Sequence, residues 1–220
     1  MTLVRMILDY TLPLICIMGV GVIAAYLFKK PINRALPAGI MGSVLIVYVL
    51  GFIDLRVGLW CIGLGVLVLV AMFVRRILSH KIDAKEISVW LKSNIVGEYL
   101  IAFLMLYTFF FVLNYNKLFY KWDDYSHWGM MAKECFRINR YYFIPDSMLS
   151  VHPEYPPFTT LCGYIWCKLC GYYKEQHLYN ARLVIISVCM LSSLSVLFEK
   201  KEKVRIGERR FDRNSIVRIA

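Results

Sequence analysis

Residues 7–28 read ILDYTLPLICIMGVGVIAAYLF and run straight into Lys29-Lys30. At about 1.5 Å of rise per residue, these 22 residues cover the roughly 30 Å of a bilayer's hydrocarbon. The run is too long for the core of a secretory leader, and no small-residue cleavage site follows it. It predicts a retained membrane helix, and the rest of the chain repeats the pattern.

Leu36 to Ile53 and Val57 to Val74 are two further apolar runs, joined by Asp54-Leu55-Arg56. A link that short forces a hairpin. Ile95 to Leu113 is a fourth run, with Glu98 one turn inside it and close enough to the interface to stay hydrated. Lys29, Lys30 and Arg34 follow the first run, while Arg75, Arg76, Lys81, Lys85 and Lys92 separate the third from the fourth. The positive-inside rule puts both basic segments in the cytoplasm and the hairpin outside. Phe158 to Tyr173 and Leu183 to Phe198 are shorter, at 16 residues each, and a basic tail runs from Lys200 to Arg218. If both short segments cross, the tail lands outside, against the rule. If Phe158–Tyr173 is re-entrant or interfacial, the tail lands inside, and that is the expected topology.

Composition excludes an ordinary soluble domain. Hydrophobic residues make up 59% and charged residues 19%, with a mean hydropathy of +0.56, where soluble chains are about a quarter charged. The net charge of +11 would suggest nucleic acid in a soluble protein. Here the basic residues gather between apolar runs, and no basic stretch interleaved with aromatics forms a strand-tracking groove. The expected partner is the lipid bilayer, not nucleic acid. Seven cysteines are an odd number and imply no disulfide framework. Cys167-x-x-Cys170 has zinc-like spacing but sits in an apolar stretch with no second ligand pair, and reads as packing. The expected fold class is an all-α, polytopic transmembrane protein with five to six membrane segments. Its organisation is a three-helix region with a basic loop over 1–94, a second region over 95–205, and a basic tail over 206–220.

One segment differs from the rest. Between positions 114 and 157 the basic residues Lys117, Lys121, Lys133, Arg137 and Arg140 are balanced by Asp123, Asp124, Glu134, Asp146 and Glu154, and aromatics are dense. Neutral charge with Trp and Tyr suits an external loop along the membrane surface. Within it, Trp128, Met131, Ala132, Cys135 and Phe136 recur at i, i+3, i+4, i+7 and i+8, predicting an amphipathic helix from Asp124 to about Arg140 that lies on the membrane. On the same wheel Asp123, His127 and Glu134 fall within about 40° of each other, so a divalent metal held by the three is geometrically open. The plain structural account is open too: Asp123 or Asp124 capping the helix, His127 among headgroups, and the aromatics as a belt. Downstream, His152-Pro153-Glu154-Tyr155-Pro156-Pro157 fixes a stiff, extended approach to a helix that starts just after Pro157.

Together, Asp123-Asp124, the helix through His127-Trp128 to Lys133, and Tyr155-Pro156-Pro157 resemble the first external loop of the GT-C superfamily of membrane glycosyltransferases. They look most like the branch holding the protein O-mannosyltransferases and the aminoarabinose transferase of lipid A. The stretch from Gly171 through Tyr179-Asn180-Ala181-Arg182-Leu183 to Lys200 is similar to that family's short turn, Arg-Leu and apolar helix. The resemblance covers roughly residues 95 to 205, and each of its motifs is short. Two features depart from the family: the pair is Asp-Asp where Asp-Glu is usual, and three helices precede the matching region. Family members also run much longer, so the chain looks like the N-terminal part of such an enzyme, with a partner chain supplying missing helices.

The resemblance implies sugar transfer, with inversion, from a polyprenyl-phosphate donor at the outer face of a bacterial plasma membrane. It makes Asp123 the general base and Asp124 an orienting carboxylate. Lys133, Arg137 and Arg140 would meet the donor phosphate, while His127, His152, Glu154 and Tyr155 would shape the substrate side. A non-catalytic reading stands beside it, as an accessory subunit or transporter fragment in envelope polysaccharide assembly. Transporters place ionisable groups along a mid-membrane path, and the apolar runs carry almost none.

Overall fold

A computed structural model describes residues 3–79, 84–145, 147–149 and 154–216. Among these residues the fold is entirely helical, with no strand. The helices are α1 (Leu3–Phe28), α2 (Ile32–Leu50), α3 (Leu55–Leu78), α4 (Ala84–Asn94), α5 (Glu98–Leu113), α6 (Gly129–Ile138), α7 (Phe158–Cys170) and α8 (Glu175–Ile216). A single π-helical turn, Asp124–Trp128, leads into α6.

Four helices are long and apolar enough to cross a membrane: α1, α2, α3 and the first 23 residues of α8. The pair α4 and α5, bent by 67° at their break, makes a fifth when counted as one span. Helices are the natural form for such runs, since lipid offers no partner for backbone N–H and C=O groups. The outward faces stay apolar: Trp60 is 71% exposed and Leu67, Met105 and Phe109 are exposed as well. In a soluble protein that surface would aggregate; in a bilayer it is solvated.

Small residues set how closely the spans approach. A methyl group at Gly58 would lie 2.6 Å from the Val47 Cα, and one at Gly21 would lie 2.8 Å from the Leu36 side chain. Helices pack tightly in lipid where one partner has no side chain to hold them apart. The α1–α2 turn reverses through Lys29 in the left-handed region and Pro31 as the residue before α2. The α2–α3 turn closes on Asp54, whose Oδ1 accepts from the Arg56 backbone N–H at 2.7 Å while the Arg56 guanidinium forks the same carboxylate.

Helix α7 has 13 residues, about 20 Å of helix, and is too short to cross by itself. This agrees with a re-entrant or interfacial Phe158–Tyr173. Helix α8 is longer than its apolar part predicts. It begins at Glu175, eight residues before Leu183, because its polar first turns are buried against the cap described next.

That cap comprises the π turn, α6, α7 and the loops between residues 114 and 174, and it sits on one end of the bundle. Its contacts reach the start of α1 (Arg5 to the Cys170 carbonyl), the end of α2 (the Tyr141 hydroxyl to the Tyr48 carbonyl) and the start of α3 (the Leu55 N–H to the Asn139 carbonyl, 2.9 Å). They also reach the end of α5 and the start of α8, joined through Asn114 and Asn180 at 2.9 Å. One continuous core includes residues of α1, α2, α3, α5, α6, α7 and α8.

The stripe on α6 has a different use from the one expected. Met131, Ala132 and Cys135 are buried, and Trp128 and Phe136 pack beside them against protein, with α7 as the neighbouring helix. The amphipathic face therefore covers the cap's own core, not lipid. Periodicity reveals a buried face but cannot name what covers it.

Candidate functional site

The acidic pair opens the cap, and the structure divides it. Asp123 is exposed, at the residue before the π turn. Asp124 is 3% exposed; its Oδ2 accepts from the Tyr179 hydroxyl at 2.7 Å and its Oδ1 from Arg182 Nη1 at 2.9 Å. Neither carboxylate caps a helix with its side chain, which corrects that expectation. Asp124 cannot cap because both its oxygens are bonded to α8.

The π turn explains why the wheel fails here. Asp124–Trp128 is wound more loosely than an α-helix, so about 100° per residue no longer places the side chains. The carboxylate and imidazole atoms of Asp123, His127 and Glu134 do not gather into a ligand group. Glu134 instead is buried, accepting from Arg137 at 2.6 and 2.9 Å and from the Met148 backbone N–H at 2.9 Å. The Arg137 guanidinium, with help from that N–H, holds its carboxyl down at about 2. The three side chains that the wheel left open to a metal are thus not gathered into one group, and Glu134 ties α6 to the following loop.

His127 and Tyr155 do come together. Tyr155 stacks against the His127 ring at 5.6 Å and against the Trp128 indole at 5.5 Å. Its backbone carbonyl accepts from the Tyr142 hydroxyl at 2.8 Å. Pro157 then precedes α7, and its carbonyl accepts from the Leu161 N–H at 2.8 Å. The proline-rich approach delivers Tyr155 to the π turn and starts α7 where the sequence predicts.

The cationic candidates are spread out. Lys133 is exposed, with its Nζ 5.9 Å from the Tyr173 ring centroid. Arg137 is paired to Glu134. Arg140 is exposed near the α2–α3 turn, where, after Arg56, it helps hold the Asp54 carboxyl below its usual range. Glu154 is exposed, and His152 lies outside the described residues. Around Asp123 the surface is aromatic: Tyr120, Trp122 and Tyr125 are all exposed.

Sequence reasoning gave no role to Tyr179 and Arg182, although both stand in the quoted Tyr-Asn-Ala-Arg-Leu stretch. The available signal was spacing. Glu175, Tyr179 and Arg182 lie at i, i+4 and i+7, one stripe of a helix, and all three bond to the segment that carries the acids. Glu175 takes the Phe119 N–H, and Tyr179 and Arg182 take Asp124.

No family model, curated protein or solved structure matches the chain.

Proposed function

We propose that the chain is a membrane glycosyltransferase, or the N-terminal portion of one, transferring a sugar from a polyprenyl-phosphate donor with inversion. Asp123 is the general base at the outer face of a bacterial plasma membrane, and Lys133, Arg137 and Arg140 would meet the donor phosphate. One observation carries the reading: the division of the acidic pair. A base must reach an acceptor hydroxyl to within hydrogen-bond distance, and Asp123 is exposed at the end of the bundle for that purpose. Asp124, locked to Tyr179 and Arg182, keeps the turn in place. The surrounding exposed rings of Tyr120, Trp122 and Tyr125 give a sugar or an isoprenoid a surface to lie on.

A second reading, a non-catalytic accessory subunit, is favoured by a separate fact. Asp124, Glu134 and Arg137 are engaged with partners inside the cap, so much of its polar chemistry holds the cap together.

Membranes containing the chain, supplied with radiolabelled sugars on polyprenyl phosphate, distinguish the two. Transfer in the wild type that falls by roughly 10²-fold or more in Asp123→Asn, at unchanged membrane abundance, supports the enzyme. Asp124→Asn is expected to lower abundance itself, because it breaks a buried pair. Full transfer by Asp123→Asn removes the base assignment, and a wild type without transfer favours the accessory subunit.

A further inference from the structure

Beneath the cap, on the side of α8 away from Asp124, a second polar cluster is buried between three elements. It consists of Asp9 on α1, Cys170 at the end of α7 and His177 in the first turn of α8. Their exposures are 0%, 3% and 0%. A carboxylate oxygen, the Cys170 Sγ and a ring nitrogen of His177 all lie within 4.8 Å of one another, and no other such group occurs among the described residues.

His177 makes the cluster informative. Neither of its ring nitrogens has a hydrogen-bond partner, and both are buried from the surface. An imidazole always has at least one N–H donor and, when neutral, one lone pair. Leaving both unmet in the interior costs free energy comparable to lost hydrogen bonds. The neighbouring groups do not relieve it. The Tyr172 ring meets the imidazole edge-on at 5.0 Å, but its hydroxyl donates to Asp9 Oδ2. Arg5 Nε forms an ion pair with Asp9 Oδ1 at 3.3 Å, without the geometry of a hydrogen bond, and so relieves neither His177 nitrogen.

We infer that Asp9, Cys170 and His177 bind a divalent transition-metal ion of the zinc class. The donor set selects the ion. Thiolate, imidazole and carboxylate together suit zinc, whereas magnesium and calcium require oxygen ligands. On binding, the Cys170 thiol releases its proton to solvent and the sulfur becomes a ligand. That thiolate and the Asp9 carboxylate then bring two negative charges to the ion, while the Arg5 guanidinium stays paired with Asp9 Oδ1. Tyr172 and Arg5 stand behind Asp9 and fix its orientation, as outer partners of metal ligands do. Burial argues against the alternative use of the same three side chains, a thiol nucleophile with its base, because no substrate carbonyl reaches Cys170. The ion's role is to clip the start of α1 to the α7–α8 corner, a closure between residues 9 and 170 that spans most of the chain. It does not depend on the chain being a transferase.

The test uses the full chain purified in detergent, stripped with chelator and titrated with Co²⁺. One equivalent is expected to produce thiolate-to-cobalt charge-transfer absorption, and zinc is expected to bleach it. Cys170→Ser should abolish the band, whereas Cys167→Ser, one turn earlier, should keep it. Tyr172→Phe should keep the band but weaken binding by roughly 10-fold. Absence of the band in the wild type overturns the site, as does its survival in Cys170→Ser or its loss in Cys167→Ser. If Cys170→Ser does not accumulate, the titrations of the wild type and of Cys167→Ser still decide.

Discussion

Glu134 shows how one side chain can be assigned to the wrong partners by pattern alone. Its helical position pairs it with Asp123 and His127, but its carboxylate is bonded to Arg137, Ser147 and the Met148 N–H. These bonds favour the ionised form and hold the carboxyl at about 2, below its ordinary 4.5. A depressed acid stabilises the fold above its unfolded-state value and loses that contribution as the pH falls. The tie between α6 and the 147–148 loop should therefore be intact above about pH 4.5 and weaken progressively as the pH falls towards 2. Limited proteolysis of the loop after α6 checks this, comparing wild type with Glu134→Gln. The wild type should become more susceptible on acidification, while the variant should be susceptible at neutral pH and change little. Cys135, next to it, shows the opposite effect, since burial pushes its thiol up to about 12. Buried at 0% exposure, it is closed to thiol reagents.

At the scale of elements, the π turn and the first turns of α8 are the decisive pieces. Gly129 ends the π turn in a space without room for a side chain. A Cβ there would lie 2.1 Å from the Phe119 ring and 2.4 Å from the Asp124 carbonyl. Gly129→Ala should therefore push Phe119 and the turn apart, at a cost of about 1–3 kcal/mol. Thermal unfolding in detergent measures it, and an unchanged midpoint would mean that the turn yields to a methyl group without cost. The start of α8 reads different environments at once. Glu175, Tyr179 and Arg182 face the acid-bearing segment, while His177, two residues on from Glu175 and about 200° round the helix, faces Asp9 and Cys170. Gln176 and Asn180 bond to Asn116 and Asn114 between them. A polar stretch before an apolar run looks like a solvated helix start in sequence. Here it is the hub on which the cap is mounted.

At the scale of the molecule, the two ends of the bundle differ in charge character. The cap end holds the near-neutral loop; the other end holds Lys29, Lys30, Arg34 and the described residues 75–79 and 84–94. On the positive-inside rule the cap is expected outside. A cysteine introduced at the exposed Lys121 should react with a membrane-impermeant maleimide in intact cells, with the native cysteines replaced as background. Reaction only after permeabilisation would invert the topology and remove the external transferase along with it.

The apolar helices were legible from the start because a membrane leaves a chain few choices, although the run at 95–113 became α5, 16 residues long and bent by 67° from α4. A long apolar run must satisfy its own backbone, so it becomes a helix, and its length sets whether it crosses. The start of α7 after Pro157 and the buried stripe of α6 were equally local properties, carried by proline geometry and by period. What tertiary structure alone decided were the partners. Asp124 meets Arg182 across 58 residues, Asp9 meets Cys170 and His177 from the far end of the chain, and α6 turns its apolar face to protein and not to lipid. No local period encodes such meetings, because they depend on how the helices stack; the loosened turn at Asp124–Trp128 is held by that same packing.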